Sequence, residues 1–127
     1  MERQVKVVIA DDRRATRQGL RALLDLLPEV EIVGEAADGQ ASVDLVAQRR
    51  PDVVVIDMQM PGIDGVEATR RIKAQWPAVR VIALTMYAGY RGAALAAGAD
   101  AFLLKDGEPN ALLGAIVGRA DSFRREL

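Results

Sequence analysis

VVVIDMQMPGIDG, residues 53–65, opens with four β-branched apolar residues, Val53 to Ile56, and sets a carboxylate, Asp57, where that run stops. A short apolar run without in/out alternation marks a strand buried on both faces, as parallel strands are. Pro61-Gly62 then breaks the chain, and a helical pattern follows from Asp64. An acid at the end of a buried strand is held there at a cost unless it is paired or neutralised. Asp57 therefore calls for a cation beside it.

Working outward, the same alternation runs the length of the chain. Strands are expected at Gln4–Ala10, Val30–Ala36, Val53–Asp57, Arg80–Thr85 and Ala101–Leu104. Between them, helical spacing predicts helices over Arg14–Leu27, Gln40–Arg49, Asp64–Trp76, Tyr90–Ala97 and Glu108–Arg125. Leu20, Leu23, Leu24 and Leu27 form one stripe. Gly65, Ala68, Thr69, Ile72 and Trp76 form a second, and Leu112, Ala115, Ile116, Ala120 and Phe123 a third. Strict βα alternation argues for a parallel sheet with helices on both faces, and right-handed crossovers leave few topologies. The reading is α/β: a five-stranded doubly wound sheet in three layers, one domain over residues 1–127.

Composition narrows the chemistry. Half of the 127 residues are apolar and 28% are charged, the profile of a globular protein. The longest apolar run is too short to span a bilayer, and the start lacks the pattern of a secretory signal. With no cysteine there is neither a disulfide nor a thiolate metal site, which agrees with a cytoplasmic setting. The net charge of −1 is balanced, and there is no basic stripe of the kind that follows nucleic-acid phosphates. Arg119, Arg124 and Arg125 are interleaved with Asp121 and Glu126, which reads as a solvated helix face. The absence of histidine excludes a histidine base, phosphocarrier or metal ligand within the chain. Any phosphoryl or metal chemistry falls to carboxylates.

In a doubly wound sheet, ligands bind beyond the carboxyl ends of the strands. Four of the five strands bring a polar side chain there: Asp11-Asp12 after the first, Asp57 at the third, Thr85 ending the fourth and Lys105 after the fifth. Each has a plainer reading. Asp12 could cap the helix near Arg14 and Asp57 could brace its own turn. Thr85 could be an ordinary strand hydroxyl, and Lys105 a solvated loop cation. Together they form a coherent charge arrangement. Three clustered acids repel, and a hard divalent cation with oxygen ligands relieves that repulsion, Mg²⁺ foremost with Mn²⁺ as an alternative. Lys105 supplies a second positive charge, pairing with Asp57. A carboxylate so placed suits attack on a phosphoryl group, with Thr85 donating a hydrogen bond to the product.

The ordered set resembles the receiver domain of two-component response regulators over nearly the whole chain. The pattern is an acidic pair (Asp11-Asp12), an Asp followed by M-P-G-x-D-G (Asp57, then Met60-Pro61-Gly62-Ile63-Asp64-Gly65), a Thr (Thr85) and a Lys (Lys105). The resemblance implies a flavodoxin-like fold with strand order 2-1-3-4-5 and five helices. It implies Asp57 as phosphoacceptor, served by a sensor histidine kinase. It implies Mg²⁺ held by Asp12, Asp57 and the backbone carbonyl of Gln59, with Asp11 acting through water. Thr85 and Phe102 match the switch pair, and Gln59 and Tyr87 the positions that tune phosphate lifetime.

GEAADG, MQMPGIDG and AFLLKD look most like NarL/FixJ-type regulators, which usually carry a C-terminal helix-turn-helix DNA-binding domain. The resemblance thus implies a role in transcription regulation, with homodimerisation on phosphorylation and no direct nucleic-acid or membrane contact by this chain. Its catalysis would be confined to its own phosphorylation and dephosphorylation. One departure stands out: Thr85 to Lys105 is about two residues shorter than the family pattern, which predicts a short, mobile fourth helix. That keeps open a degenerate or stand-alone receiver acting as a docking module. An aspartyl-phosphate phosphohydrolase is the poorest fit, because that chemistry wants an acid two residues after the nucleophile and position 59 is Gln.

Overall fold

A computed structural model describes residues 4–118. In order along the chain it contains β1 (Val5–Ala10), α1 (Arg14–Leu24), β2 (Val30–Ala36), α2 (Gly39–Arg49), β3 (Val53–Ile56) and α3 (Gly65–Gln75). Then follow β4 (Arg80–Thr85), a 3-10 turn over Ala88–Tyr90, α4 (Arg91–Ala96), β5 (Ala101–Leu104) and α5 (Pro109–Val117). The strands pair in parallel in the order β2-β1-β3-β4-β5, as expected.

Strand burial explains why the central apolar runs show no alternation. In β1, Val7 and Ile9 face one helical layer while Val8 and Ala10 face the other. Val53 and Val55 share the first side, Val54 and Ile56 the second. Leu24, Leu112 and Ile116 bring α1 and α5 onto the first face. Val46, Ala68, Ile72 and Ala94 bring α2, α3 and α4 onto the second. All four residues of β3 are buried, which is what fixes the position of the residue that follows.

The helix ends show how sequence sets the boundaries. Asp38 and Asp64 cap α2 and α3, accepting from the backbone N–H of Ala41 and Glu67 at 2.8 and 2.9 Å. Pro109 opens α5, where its missing N–H leaves no intrahelical bond unmade. α1 ends at Leu24, a turn earlier than its leucine stripe suggests, and Leu27 instead packs on the core from the loop. Arg80 at the start of β4 donates to the carbonyls of Ala115 and Ile116, closing the last turn of α5. Ala120, Phe123 and the Arg119–Arg125 face of the expected fifth helix lie outside the described residues. The fourth helix is short, as its sequence predicts: six residues, preceded by one 3-10 turn.

Candidate functional site

The five strands run the same way, so their carboxyl ends share one edge, and the four expected polar groups meet there. Asp57 lies one residue beyond β3 rather than within it, although its N–H still donates to Ala10 at 2.9 Å and continues the ladder. Asp11 follows β1, with its N–H on the Ala36 carbonyl at 3.0 Å. Both acids are buried, Asp11 2% and Asp57 7% exposed, while Asp12 is exposed.

Gly65 has to be glycine for this arrangement to exist. A Cβ at that position would sit 1.9 Å from the Asp57 carbonyl oxygen and 2.6 Å from the Met58 Cα. The close approach lets the Gly65 N–H reach the Met58 carbonyl at 3.0 Å and brings the start of α3 under the acid. Gly62 turns the intervening loop with φ +74°, a conformation glycine adopts without steric penalty.

Lys105 answers the demand for a cation. Its Nζ lies 2.6 Å from Asp11 Oδ2 and 3.1 Å from Asp57 Oδ2. Its backbone N–H is anchored on the Thr85 carbonyl at 2.9 Å. Burial pulls the Lys105 pKa down, but hydrogen bonds and charges from Asp11 and Asp57 outweigh that and hold it above the ordinary lysine value. The other Asp57 oxygen, Oδ1, accepts from the Gln59 N–H at 3.3 Å. The brace on its own turn and the cation partner therefore coexist.

The remaining expected residues fall into place unevenly. Thr85 is fully buried, and its Oγ1 receives only a long contact from the Tyr87 N–H, 3.5 Å. Tyr87 is half exposed at the rim, its ring 6.4 Å from that of Tyr90. Phe102 is half-buried against the α2–α4 face, with the Arg91 guanidinium 5.9 Å over its ring. Asp12 does not cap α1: the residue preceding that helix is Arg13, and no side chain caps it. Asp11 makes the local bond instead, accepting from the Arg13 N–H at 2.8 Å.

Asp11, Asp12 and Asp57 each offer a carboxylate oxygen, and these lie within 4.8 Å of one another. Three hard oxygen donors at that spacing fit a divalent cation such as Mg²⁺ or Mn²⁺.

Two supports were not legible in the sequence. Arg17 donates from Nη1 to the Asp11 carbonyl at 2.8 Å and from Nε to Glu35 at 3.2 Å, and Arg21 reaches the same carboxylate at 2.7 Å. Strand β2 thus steadies the acidic pair through Glu35, although it brings no group to the site itself. Arg13 and Met86 were missed as well. They line the cavity of about 370 Å³ over Asp57, together with Asp12, Tyr87 and Lys105.

The response regulator receiver domain family matches residues 7–117. The chain belongs to that family. It is 37% identical over 117 residues to the transcriptional regulatory protein DegU of Brevibacillus brevis, covering 91% of this chain and 50% of DegU. It therefore spans about half the length of that curated relative. Its fold matches the signal receiver domain of the response regulator NarL from Mycobacterium tuberculosis with a TM-score of 0.87 and 33% identity, over 94% of this chain and 98% of that one. It also matches the isolated receiver domain of RcsB from Salmonella enterica serovar Typhimurium, solved with the phosphomimetic BeF₃⁻. There the TM-score is 0.84 at 29% identity, over 93% of this chain and 89% of that one. This receiver domain thus has NarL- and DegU-type relatives, as GEAADG and AFLLKD imply. Among its described residues no helix is long and apolar enough to cross a membrane.

Proposed function

We propose that this receiver domain accepts a phosphoryl group on Asp57 from the phosphohistidine of a sensor histidine kinase. The observation that carries the reading is Asp57 itself: buried, fixed by β3, with Lys105 on one oxygen and Asp11 and Asp12 within ligand distance. In the transfer, one Asp57 oxygen forms a bond to phosphorus as the donor's P–N bond breaks, and that electron pair leaves with the imidazole. The Gln59 N–H and Lys105 hold the carboxylate in place, which removes rotational freedom before the attack. Asp11, Asp12 and Asp57 would hold Mg²⁺, with the Gln59 carbonyl as a further oxygen donor and Asp11 acting through water. When bound, the ion offsets the repulsion of the acids and the negative charge of the arriving phosphoryl oxygens.

Lys105 can follow those oxygens, because its ammonium is shared between two acids rather than committed to one. The Thr85 hydroxyl, held now by one long contact, is free to turn toward the new phosphate. Its departure from the Tyr87 N–H would loosen the segment that leads to α4, with Phe102 repacking from beneath Arg91. That is a local charge change biasing a bistable element. Gln59 and Tyr87, at the rim, set how readily water reaches the acyl phosphate. The relatives' role in transcription makes an output domain or a second copy of the chain the natural reader of the change, in the cytoplasm.

The test is incubation with acetyl phosphate and Mg²⁺ followed by intact-mass measurement. One acid-labile phosphate per chain, lost in Asp57→Asn, is the expected result. An unmodified native chain, or an undiminished adduct in the variant, overturns the assignment.

A further inference from the structure

At about 370 Å³, the cavity over Asp57 is within the roughly 300–1,000 Å³ typical of small-molecule sites and exceeds what a phosphoryl group alone fills. Two cations line it, Lys105 and Arg13. Lys105 is already engaged by Asp11 and Asp57. Arg17 and Arg21, further along α1, are taken up by Glu35. Arg13 differs from all of these. Its backbone is fixed by the bond from its N–H to Asp11, yet its side chain is exposed and forms no ion pair among the described residues. Asp12 and Asp57 line the cavity as well, and buried Asp11 lies behind them on Lys105. The one lining ammonium is thus already taken up by acids, and an anionic donor needs a positive group not already bound. A guanidinium is suited to that task, because its planar fork matches two phosphate oxygens at once.

We infer that Arg13 is a donor-binding residue, gripping the phosphate oxygens of a small acyl phosphate while its acyl group occupies the remainder of the cavity. The inference rests on Asp57 being the phosphoacceptor. In the step it serves, the bond between phosphorus and the acyl oxygen breaks, and its electron pair leaves with the carboxylate. An Asp57 oxygen forms the new bond to phosphorus, and no proton need move. Arg13 is exposed and its side chain caps nothing, so replacing it should leave the fold intact.

The experiment compares the second-order rate constants of phosphorylation of the wild type, Arg13→Ala and Arg13→Lys by acetyl phosphate and by phosphoramidate. Both are run with Mg²⁺ and read by intact mass. With acetyl phosphate, Arg13→Ala should be slower by roughly 5–10-fold and Arg13→Lys should recover part of the loss. With phosphoramidate, which carries less negative charge, the change should stay within about twofold, and added KCl should narrow the acetyl phosphate gap. Equal rates for wild type and Arg13→Ala overturn the inference. So does a loss equal for both donors and indifferent to salt, which would mark a merely structural role. A wild type that forms no Asp57 adduct removes the phosphoacceptor reading, and this inference with it. That failure is distinct, because it appears before any variant is compared.

Discussion

Two loops leave buried strands at the same edge of the sheet, and they are built in opposite ways. After β3, Met58 and Met60 are buried, Asp64 caps α3, and Gly65 presses against the Asp57 carbonyl. After β4, Met86 and Tyr87 are 53% and 49% exposed, a single 3-10 turn intervenes, and α4 has no side-chain cap. Glycines make the contrast sharpest. A Cβ at Gly65 would collide with backbone, whereas at Gly89 and Gly92 it would meet nothing within 4 Å. The acid is held rigidly while the segment beside it is held by little. A site that accepts a phosphoryl group and reports it, as proposed, would need both.

The largest break in this contrast should come from Gly65→Ala. Its methyl group has only backbone to displace, so the loss should be roughly 3 kcal/mol or more, read as a fall in the urea midpoint. A wild-type midpoint would show that α3 can move away from Asp57, contrary to the tight packing described.

Next in size is Lys105→Met. Removing the shared ammonium leaves two buried acids facing each other, and the cost should be about 2 kcal/mol at neutral pH. Mg²⁺ should restore part of that stability, since it binds the same acids and only in the folded state. The pH dependence has a definite sign. A lysine whose folded pKa is raised stabilises fully below its unfolded value of about 10.4, and loses that contribution as pH rises through the folded value. The gap between wild type and variant should therefore be flat at neutral pH and close as the solution becomes strongly alkaline. A gap that persists unchanged through strongly alkaline pH would mean that the Lys105 charge is not what steadies these carboxylates.

Asp64→Ala should cost about 1 kcal/mol by uncapping α3. Gly92→Ala tests the other loop and has the opposite sign. In an exposed helix position with open space, alanine should stabilise by roughly 0.5–1 kcal/mol and slow hydrogen exchange across α4. If α4 already exchanges as slowly as α3 in the wild type, the two loops are not mechanically different.

Much of this was legible in the chain itself, for reasons that particular residues make plain. Val53 to Ile56 show no alternation because alternate side chains face two apolar layers, and that pattern sufficed to place β3 and its neighbours. Asp11, Asp57, Thr85 and Lys105 were legible because a parallel sheet brings the residues at its strand ends to one edge. What stayed hidden depends on contacts distant in sequence. Nothing local marks Glu35 as the partner of Arg17 and Arg21, and Arg13 reads as one more surface arginine until the cavity is seen. The end of α1 was overestimated because Leu27 belongs to the core without belonging to the helix. The 3-10 turn before α4 also left no signal, since Ala88-Gly89-Tyr90 fits a loop equally well.

The smallest expected effect concerns that hidden support. The Arg21 hydrogen bond, with Arg17 adding to it, holds the Glu35 carboxyl below the usual carboxylate range despite some burial. A depressed pKa stabilises above the unfolded value of about 4.3, and the contribution is lost as pH falls through the folded value. Glu35→Gln should therefore lower the melting temperature slightly at pH 7 and make no difference in strong acid.

Arg80 carries a consequence for where the end of α5 stands relative to Asp57. It stands at the first residue of β4 and holds the Ala115 and Ile116 carbonyls, so the last described turn of α5 lies at the amino edge of the sheet. Six strand residues, about 20 Å, separate that turn from the edge bearing Asp57. A change at Asp57 of the kind proposed would have to cross the full height of the sheet, or travel over a lateral face, to be felt at that turn.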